Sequence, residues 1–161
     1  MHLWRIAADT PDYGADDRSG KGAEIEGGRW NRPGTPMLYA SCSRALASLE
    51  TLAHFGSNPV LPLNRFLVEI TVSDELWKDR VVFDPEAGVG WDAQPAGLVS
   101  LDWGTAWARN RTSVLAEVPS VLVPEESNVL IDPLHPEAGR VGVRKVRRWL
   151  YDPRLGVRQN R

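Results

Sequence analysis

The sequence predicts a single α+β domain built from short, mostly antiparallel strands and a few helices. Three observations support this prediction. The chain has 161 residues, which is the usual size of one domain rather than two. Apolar residues alternate as in strands over several short segments, and two segments show helical spacing instead. The strand segments do not alternate regularly with crossover helices, as they would in a doubly wound parallel sheet.

The first half of the chain is predicted to contain four strands and a helix. We expect strands over 2–7, 35–40, 65–72 and 80–83, and a helix over 41–55. The segment 65–72 shows the clearest alternation of two faces. Residues 8–28 are rich in Gly, Asp and Ser, which predicts a long loop, and loops of that length are often functional.

The helix over 41–55 has recognisable start and stop signals. Ser41 or Ser43 can cap its N-terminus, and Gly56 can end it. Its apolar stripe is predicted to centre near Leu49. Glu50 then lies about 100° from that centre, at the border of the apolar face.

The second half is predicted to start with a loop over 84–100 and a short helix over 102–110. The spacing of Trp103 and Trp107 puts both indoles on one side of that helix. Prolines then separate short or edge strands over 114–118, 120–123, 128–131 and 141–151.

Composition excludes several classes of protein. A single Cys42 rules out an internal disulfide, which fits a reducing cytoplasm, and three scattered His are too few for a Cys/His metal cage. The sequence begins without a signal-peptide pattern, and no run of 18 apolar residues predicts a membrane span. We therefore expect a cytoplasmic protein with no metal and no membrane contact.

Basic residues are concentrated at the C-terminal end. Residues 140–161 carry eight basic groups and one acidic group, whereas residues 1–139 carry 11 basic and 20 acidic groups. The densest segment contains Arg144, Lys145, Arg147 and Arg148, which could contact phosphates or form an ordinary solvated strand face. The low pI of about 5.9 argues against a dedicated nucleic-acid binder, so no direct nucleic-acid binding is expected.

The segment 27–36 is the best candidate for a binding loop, because it combines glycines, arginines, an indole and prolines before a strand. Arginines among glycines can grip a phosphate or carboxylate, but a rigid turn with solvated arginines explains the pattern equally well. Three further polar residues stand out, Tyr39, Glu50 and Ser120, and each also has an ordinary structural explanation. No phosphate-binding loop of the Gly-Lys-Ser/Thr type and no Gly-x-Ser-x-Gly elbow is present.

Five motifs taken together resemble the RES-domain family, which is named for its Arg, Glu and Ser. They occur in the family's order over nearly the whole chain, at 27–36, 38–41, 45–52, 118–120 and 128–133. Asp132 is a departure, since the family more often has Asn before the Pro. The resemblance implies a catalytic domain over 1–151 followed by a basic tail over 152–161, with a fold similar to that of ADP-ribosyltransferases.

The resemblance also implies a function. It indicates the toxin of a type II toxin–antitoxin pair that consumes NAD+ as a substrate, without a separate cofactor. The reaction is NAD+ glycohydrolysis or phosphorolysis, or alternatively ADP-ribosylation of a protein; a nucleic-acid-binding or partner-binding module using the basic segment is the second alternative. The implied partner is an Xre-type helix-turn-helix antitoxin, and a homodimer is left open.

On this resemblance the catalytic positions are Glu50, Arg29, Tyr39 and Ser120, and the substrate-binding positions are Arg5, Arg29, Trp30, Tyr39 and Asn128. Arg29 would hold the pyrophosphate of NAD+, and Arg5 would share that charge. Glu50 would stabilise the positive charge that develops on the ribose as nicotinamide leaves. Tyr39 would stack on or bound the nicotinamide, and Ser120 would hydrogen-bond the ribose or carboxamide.

Overall fold

The computed structural model describes residues 1–55 and 61–155, in which seven strands form one mixed sheet. The strands are β1 (His2–Ala8), β2 (Leu38–Ser41), β3 (Arg65–Thr71), β4 (Val81–Val82), β5 (Leu115–Pro119), β6 (Ser127–Ile131) and β7 (Gly142–Trp149). Their order across the sheet is β4-β5-β6-β2-β1-β3-β7, and every neighbouring pair is antiparallel except β4 with β5. The predicted α+β class with mostly antiparallel strands is confirmed.

Four α-helices accompany the sheet in the described ranges, namely α1 (Lys21–Glu26), α2 (Arg44–Phe55), α3 (Asp74–Lys78) and α4 (Leu98–Asn110). The Ser43 hydroxyl accepts the Leu46 N–H at 3.0 Å, so Ser43 is the N-cap of α2 and Ser41 belongs to β2. The predicted stop at Gly56 lies outside the described residues. None of these helices has the length and apolar character needed to cross a bilayer.

Four segments differ from the predictions made from sequence. The predicted loop over 8–28 contains α1, and α3 was not predicted, because helices of five or six residues carry too little periodicity to detect. Helix α4 begins at Leu98 rather than at 102. The strand predicted over 120–123 is wrong: the Ser120 hydroxyl accepts the N–H groups of Leu122 and Val123 at 3.1 Å, which turns the chain.

Helix α2 contacts the sheet through a different side from the one predicted. Leu46 and Ala47 are its buried residues, whereas Leu49 is 42% exposed. Glu50 lies three and four residues after this buried pair and therefore on the sheet-facing side. Apolar residues lie on both sides of the helix, and the sheet covers only the side that carries Leu46 and Ala47.

The face of the sheet that carries α2 and α4 has two apolar clusters. Trp4 and Ile6 of β1 pack with Ala47 of α2, while Val118 and Leu130 pack in an aromatic cluster with α4. Side chains directly opposite each other in the register share a face, which places Tyr39, Ser41 and Asn128 on this same face, in the middle of the sheet. A polar strip therefore separates the two clusters.

The opposite face carries the largest apolar cluster, which includes Leu3, Leu38, Val68 and Ile131. Strands β1 and β2 share the single register pair Trp4↔Ser41. The two halves of the sheet are therefore joined at the end of β2 that leads into α2.

The basic segment lies on β7, an edge strand, and its cations are engaged within the molecule. Arg144 pairs with Glu69 at 2.5 Å, and Lys145 pairs with Asp9 at 2.7 Å. Arg148 donates to the Leu63 carbonyl, and the Arg147 guanidinium lies 4.6 Å from the Trp149 ring. These contacts favour the interpretation of this segment as a solvated strand face.

Candidate active site

Glu50 lies at the centre of the polar strip. Its Oε1 accepts a hydrogen bond from the Ser120 hydroxyl at 2.8 Å and another from the Asn128 side-chain amide at 2.5 Å. These three residues come from α2, from the turn after β5 and from β6, and the structure brings them together. The other oxygen, Oε2, has no hydrogen-bond partner in residues 1–55 and 61–155.

The direction of each hydrogen bond to Glu50 is fixed by the groups behind it. The Ser120 oxygen already accepts two backbone N–H groups, so its proton is directed to Glu50. The Asn128 Oδ1 accepts the Ser41 hydroxyl at 2.7 Å, while its Nδ2 donates to Glu50. Ser120 and Asn128 thus both donate to the same Glu50 oxygen.

Ser41 is a residue of this network that the sequence-based site assignment missed. It is buried at 3% exposure and lies opposite Asn128 in the register of β2 and β6. One signal was available, since Ser41 follows Tyr39 by two residues on a strand and therefore points the same way.

Tyr39 lies next along β2, and both functions of its hydroxyl are occupied. It donates to Asn31 Oδ1 at 2.6 Å and accepts the Trp30 N–H at 3.1 Å. Burial raises the pKa of the Tyr39 hydroxyl above its ordinary value. Asn31, which is fully buried, is the second residue that the sequence-based assignment missed.

Arg29 is held over the site by the loop before α4. Its Nη1 donates to the carbonyl oxygens of Trp91 at 3.0 Å and Ala93 at 2.9 Å. Burial lowers the pKa of the Arg29 guanidinium, and the charges of Glu50 and Asp92 oppose that shift. Arg29 thus lies within electrostatic reach of Glu50, and its other N–H donors form no hydrogen bond with residues 1–55 or 61–155.

Arg5 is placed apart from this group. It lines a separate cavity together with Tyr13, Asp17, Gly20 and Lys21, and burial lowers its pKa. The Arg5 guanidinium forms no hydrogen bond or ion pair with any residue of the described ranges. The structure does not bring Arg5 into contact with Arg29, Tyr39 or Glu50.

Trp30 requires a correction, because its indole was expected to bind substrate. The side chain is 2% exposed, with its ring centroid 4.8 Å from that of Phe83 and 5.6 Å from that of Trp103. Helix α4 and the loop before it cover the indole. Only the backbone N–H of Trp30 takes part in the site, through Tyr39.

Cys42 is the single cysteine of the sequence. Burial raises the pKa of the Cys42 thiol to about 11, so the neutral thiol predominates at neutral pH. Within the described part of the chain, no group of three or more His, Cys, Asp or Glu side chains could hold a metal ion.

The sequence matches a protein-family model described as the RES domain over residues 2–153. The chain belongs to the RES-domain family. It is similar to the Prs ADP-ribosylating toxin of a Sphingobium species, with 56% identity over 154 residues that cover 95% of each chain. It is also similar to proteins named Toxin Res from Yersinia enterocolitica, with 36% identity over 84% of this chain and 86% of the relative, and from Pseudomonas putida, with 34% identity over 86% and 88%.

The structure gives a physical reason for the departure of this RES-domain protein at Asp132. Asp132 is fully buried, and Arg111 Nη1 lies 2.8 Å from each of its carboxylate oxygens. The Leu134 N–H donates to the same carboxylate at 2.9 Å. The charge of Asp132 is thus compensated by Arg111, which follows the last residue of α4, and Asp132 also accepts the backbone N–H groups of Leu134 and His135 in the turn that contains Pro133.

Proposed function

We propose that this RES-domain protein is the toxin of a type II toxin–antitoxin pair and that it cleaves the nicotinamide–ribose bond of NAD+. One observation carries the proposal, namely the Glu50 carboxylate fixed through Oε1 by Ser120 and Asn128 while Oε2 remains unengaged. A fixed carboxylate on a folded helix is suited to stabilise a developing positive charge without reorganising.

Nicotinamide is the leaving group of the proposed reaction. The bond between ribose C1′ and the nicotinamide nitrogen breaks, and its electron pair goes to the nitrogen. The pyridinium ring thereby becomes neutral, so its departure needs no proton. The ribose passes through an oxocarbenium-like state, as in glycoside hydrolysis. Glu50 Oε2 would stabilise that charge more in the transition state than in the ground state.

Other residues would hold the substrate. Arg29 keeps N–H donors beyond those used on Trp91 and Ala93, and we assign these donors to the pyrophosphate. Arg5 alternates with Trp4 along β1 and lies opposite Val68, on the other face of the sheet from Glu50, so we assign it no contact with the dinucleotide. The ring of Tyr39 would bound the nicotinamide.

The acceptor of the ADP-ribosyl group distinguishes the two candidate reactions. Water or phosphate would make the protein a glycohydrolase or a phosphorylase. A protein acceptor is the second candidate, and it is favoured by the similar Sphingobium protein, which is named an ADP-ribosylating toxin of Prs. In each case the nucleophile forms a bond to C1′ as the bond from C1′ to nicotinamide breaks, and neutral nicotinamide is released. Water or a protein side chain gives up a proton to the solvent or to a nearby base, whereas a phosphate oxyanion attacks without losing one.

The first experiment measures nicotinamide release from NAD+ by the purified protein, with and without phosphate and with and without Prs as an acceptor. Glu50→Gln keeps the size of the side chain and removes its charge, so we expect release to fall at least about a hundredfold. Glu75→Gln is the matched control, because Glu75 lies on α3 at an exposed position.

Each outcome of this experiment assigns a reaction. Release in buffer alone indicates a glycohydrolase, release that requires phosphate indicates a phosphorylase, and label transferred to Prs indicates a transferase. Equal release by the wild type and Glu50→Gln would contradict the role of Glu50. No release and no labelling under any condition would contradict the proposed function.

In the cell, this toxin would act together with an antitoxin. A toxin of this family requires a cognate antitoxin, and we propose an Xre-type helix-turn-helix protein in that role, with a homodimer as the form of the toxin that it meets. Expression in the bacterial cytoplasm, where NAD+ is available, should arrest growth with the wild type and not with Glu50→Gln. Coexpression of the antitoxin should restore growth.

A further inference from the structure

The hydroxyl of Tyr39 is enclosed by a small buried network that the family's named residues do not include. Asn31 lies at its centre, fully buried, with Oδ1 accepting the Tyr39 proton at 2.6 Å. We infer that Asn31 is a positioning residue, which locks the Tyr39 hydroxyl so that Tyr39 offers its ring, and no proton, to the substrate. This inference rests on the proposed function.

The orientation of the Asn31 amide is determined by its surroundings. Its Nδ2 donates to the carbonyl oxygens of Ala23 at 2.7 Å and Thr35 at 2.9 Å. A flipped amide would place Oδ1 against these two carbonyl oxygens, where two acceptors would face each other, and Ala23 would keep only its bond from the Gly27 N–H. Because a buried polar group without a partner is unfavourable, Oδ1 faces Tyr39.

The Tyr39 hydroxyl has no proton left for chemistry. A phenol carries a single O–H, and that proton is committed to Asn31. Its oxygen also accepts the Trp30 N–H at 3.1 Å, which fixes the ring from the other side. General acid or base catalysis requires a proton that is within reach of the reacting group, so this hydroxyl is excluded from proton transfer.

Gly28 is the third member of this lock. A Cβ atom at Gly28 would lie 2.6 Å from the Tyr39 hydroxyl oxygen and 2.9 Å from Asn31 Oδ1. These distances are shorter than real carbon contacts, so a side chain here would displace the hydroxyl. The absence of a side chain at Gly28 thus makes room for the Tyr39 hydroxyl.

The kinetic test uses Tyr39→Phe, Asn31→Ala and the double variant in the nicotinamide-release assay. Tyr39→Phe keeps the ring and should raise KM about fivefold while kcat falls less than threefold. Asn31→Ala should raise KM about tenfold, again with a smaller change in kcat. The double variant should have the same KM as Asn31→Ala, because both substitutions break the same hydrogen bond between Tyr39 and Asn31.

Two results would overturn the inference. A fall in kcat of about a hundredfold in Tyr39→Phe would show that the hydroxyl transfers a proton, since acid–base catalysis has that magnitude. If the increases in KM of the two single variants multiply in the double variant, Asn31 does not act through Tyr39. Gly28→Ala would displace the Tyr39 hydroxyl while Asn31 keeps its side chain and the hydrogen bonds of its Nδ2. This variant should raise KM in the same way.

Amide hydrogen exchange of the Trp30 N–H tests the lock independently of activity. We expect protection in the wild type and at least tenfold faster exchange in Tyr39→Phe, which lacks the acceptor. Fast exchange in the wild type would overturn the lock. Absence of nicotinamide release from a wild type with a protected Trp30 N–H would instead overturn the proposed function, and the positioning role with it, while the lock itself would stand.

Discussion

At the scale of single residues, the candidate site depends on hydrogen bonds that run in one direction. Ser41 donates to Asn128, Asn128 donates to Glu50, and Ser120 donates to Glu50 from the other side. Because each donor is oriented by the group behind it, Glu50 Oε1 is fixed without any contact to substrate. Oε2 is thereby oriented as well.

Ser41→Ala tests this series of hydrogen bonds at its far end. Loss of the hydroxyl removes the donor that holds Asn128 Oδ1, so the amide is held less firmly against Glu50, and a neutral hydrogen bond contributes about 1 kcal/mol. We expect kcat for nicotinamide release to fall about fivefold, with a smaller change in KM, as this energy implies.

Ser41→Thr retains the hydroxyl and is the matched control, with folding of both variants checked by thermal unfolding. It should restore most of the lost kcat. Equal losses in Ser41→Ala and Ser41→Thr would mean that packing at this buried position, rather than the hydrogen bond to Asn128, is what matters.

At the scale of elements, the position of α4 depends on one close approach to the binding loop. Gly104 of α4 lies against the backbone of Trp30, and a Cβ atom at this position would lie 2.0 Å from the Trp30 carbonyl oxygen. The Arg32 N–H donates to the Thr105 hydroxyl at 3.0 Å, and Arg32 pairs with Asp102 on the same helix. The loop that carries Arg29 is thus built onto α4.

Gly104→Ala is therefore expected to be strongly destabilising. Alanine favours a helix over glycine by about 1 kcal/mol, but overpacking against backbone costs typically about 1–3 kcal/mol and more when neither side can move. Since the clash is with backbone, it should dominate, and we expect a net loss of about 2 kcal/mol or more in urea unfolding.

Gly22→Ala provides the matched control in α1. A Cβ atom at Gly22 meets nothing within 4 Å, so the same substitution should stabilise the protein by roughly 0.5–1 kcal/mol. A stabilising Gly104→Ala would contradict the close packing of α4 against Trp30.

At the scale of the whole molecule, the segment after β1 is tied to the opposite end of the chain. Lys145 of the edge strand β7 donates to both oxygens of Asp9, at 2.7 and 2.8 Å, across 136 residues of sequence. Asp9 also accepts the Ala15 N–H at 2.5 Å, which holds the loop that buries Ala15 against the sheet. The cation of Lys145 thus has an internal role.

This link predicts a particular dependence of stability on pH. The hydrogen bond from Lys145, followed by that from Ala15, holds the pKa of Asp9 below its ordinary value. A lowered pKa in the folded state contributes stability above the unfolded pKa of about 3.9, and this contribution is lost as the pH falls through the folded value. Lys145→Met should therefore lower Tm at pH 7 and reduce the difference in Tm between pH 7 and pH 3.

Lys78→Met is the control for this prediction, since it removes the same charge from α3, where Lys78 forms no ion pair with a described residue. It should leave the acid dependence of Tm unchanged. If both variants reduced the difference in Tm between pH 7 and pH 3 equally, the effect would come from net charge rather than from the Asp9–Lys145 pair.

Elements with a strong local pattern were determined by the sequence alone. The alternation over 65–72 corresponds to β3, the capped apolar segment beginning at Ser43 corresponds to α2, and the apolar run at 128–131 corresponds to most of β6. In each case the signal lies within one element, where side-chain spacing and capping residues act directly on the local backbone. The RES-domain motifs likewise identified the family from the order of residues along the chain.

The assembly of the site was decided by the tertiary structure. Ser120 and Asn128 meet Glu50 across 70 and 78 residues, and no local pattern contains such a distance. Tertiary packing also decided the burial of Leu49 and Trp30. Leu49 is exposed because the sheet covers the other side of α2, and Trp30 is buried because α4 and its preceding loop cover it. Local spacing fixes which residues share a face of an element, whereas the packing of other elements determines which face is covered and which polar groups meet.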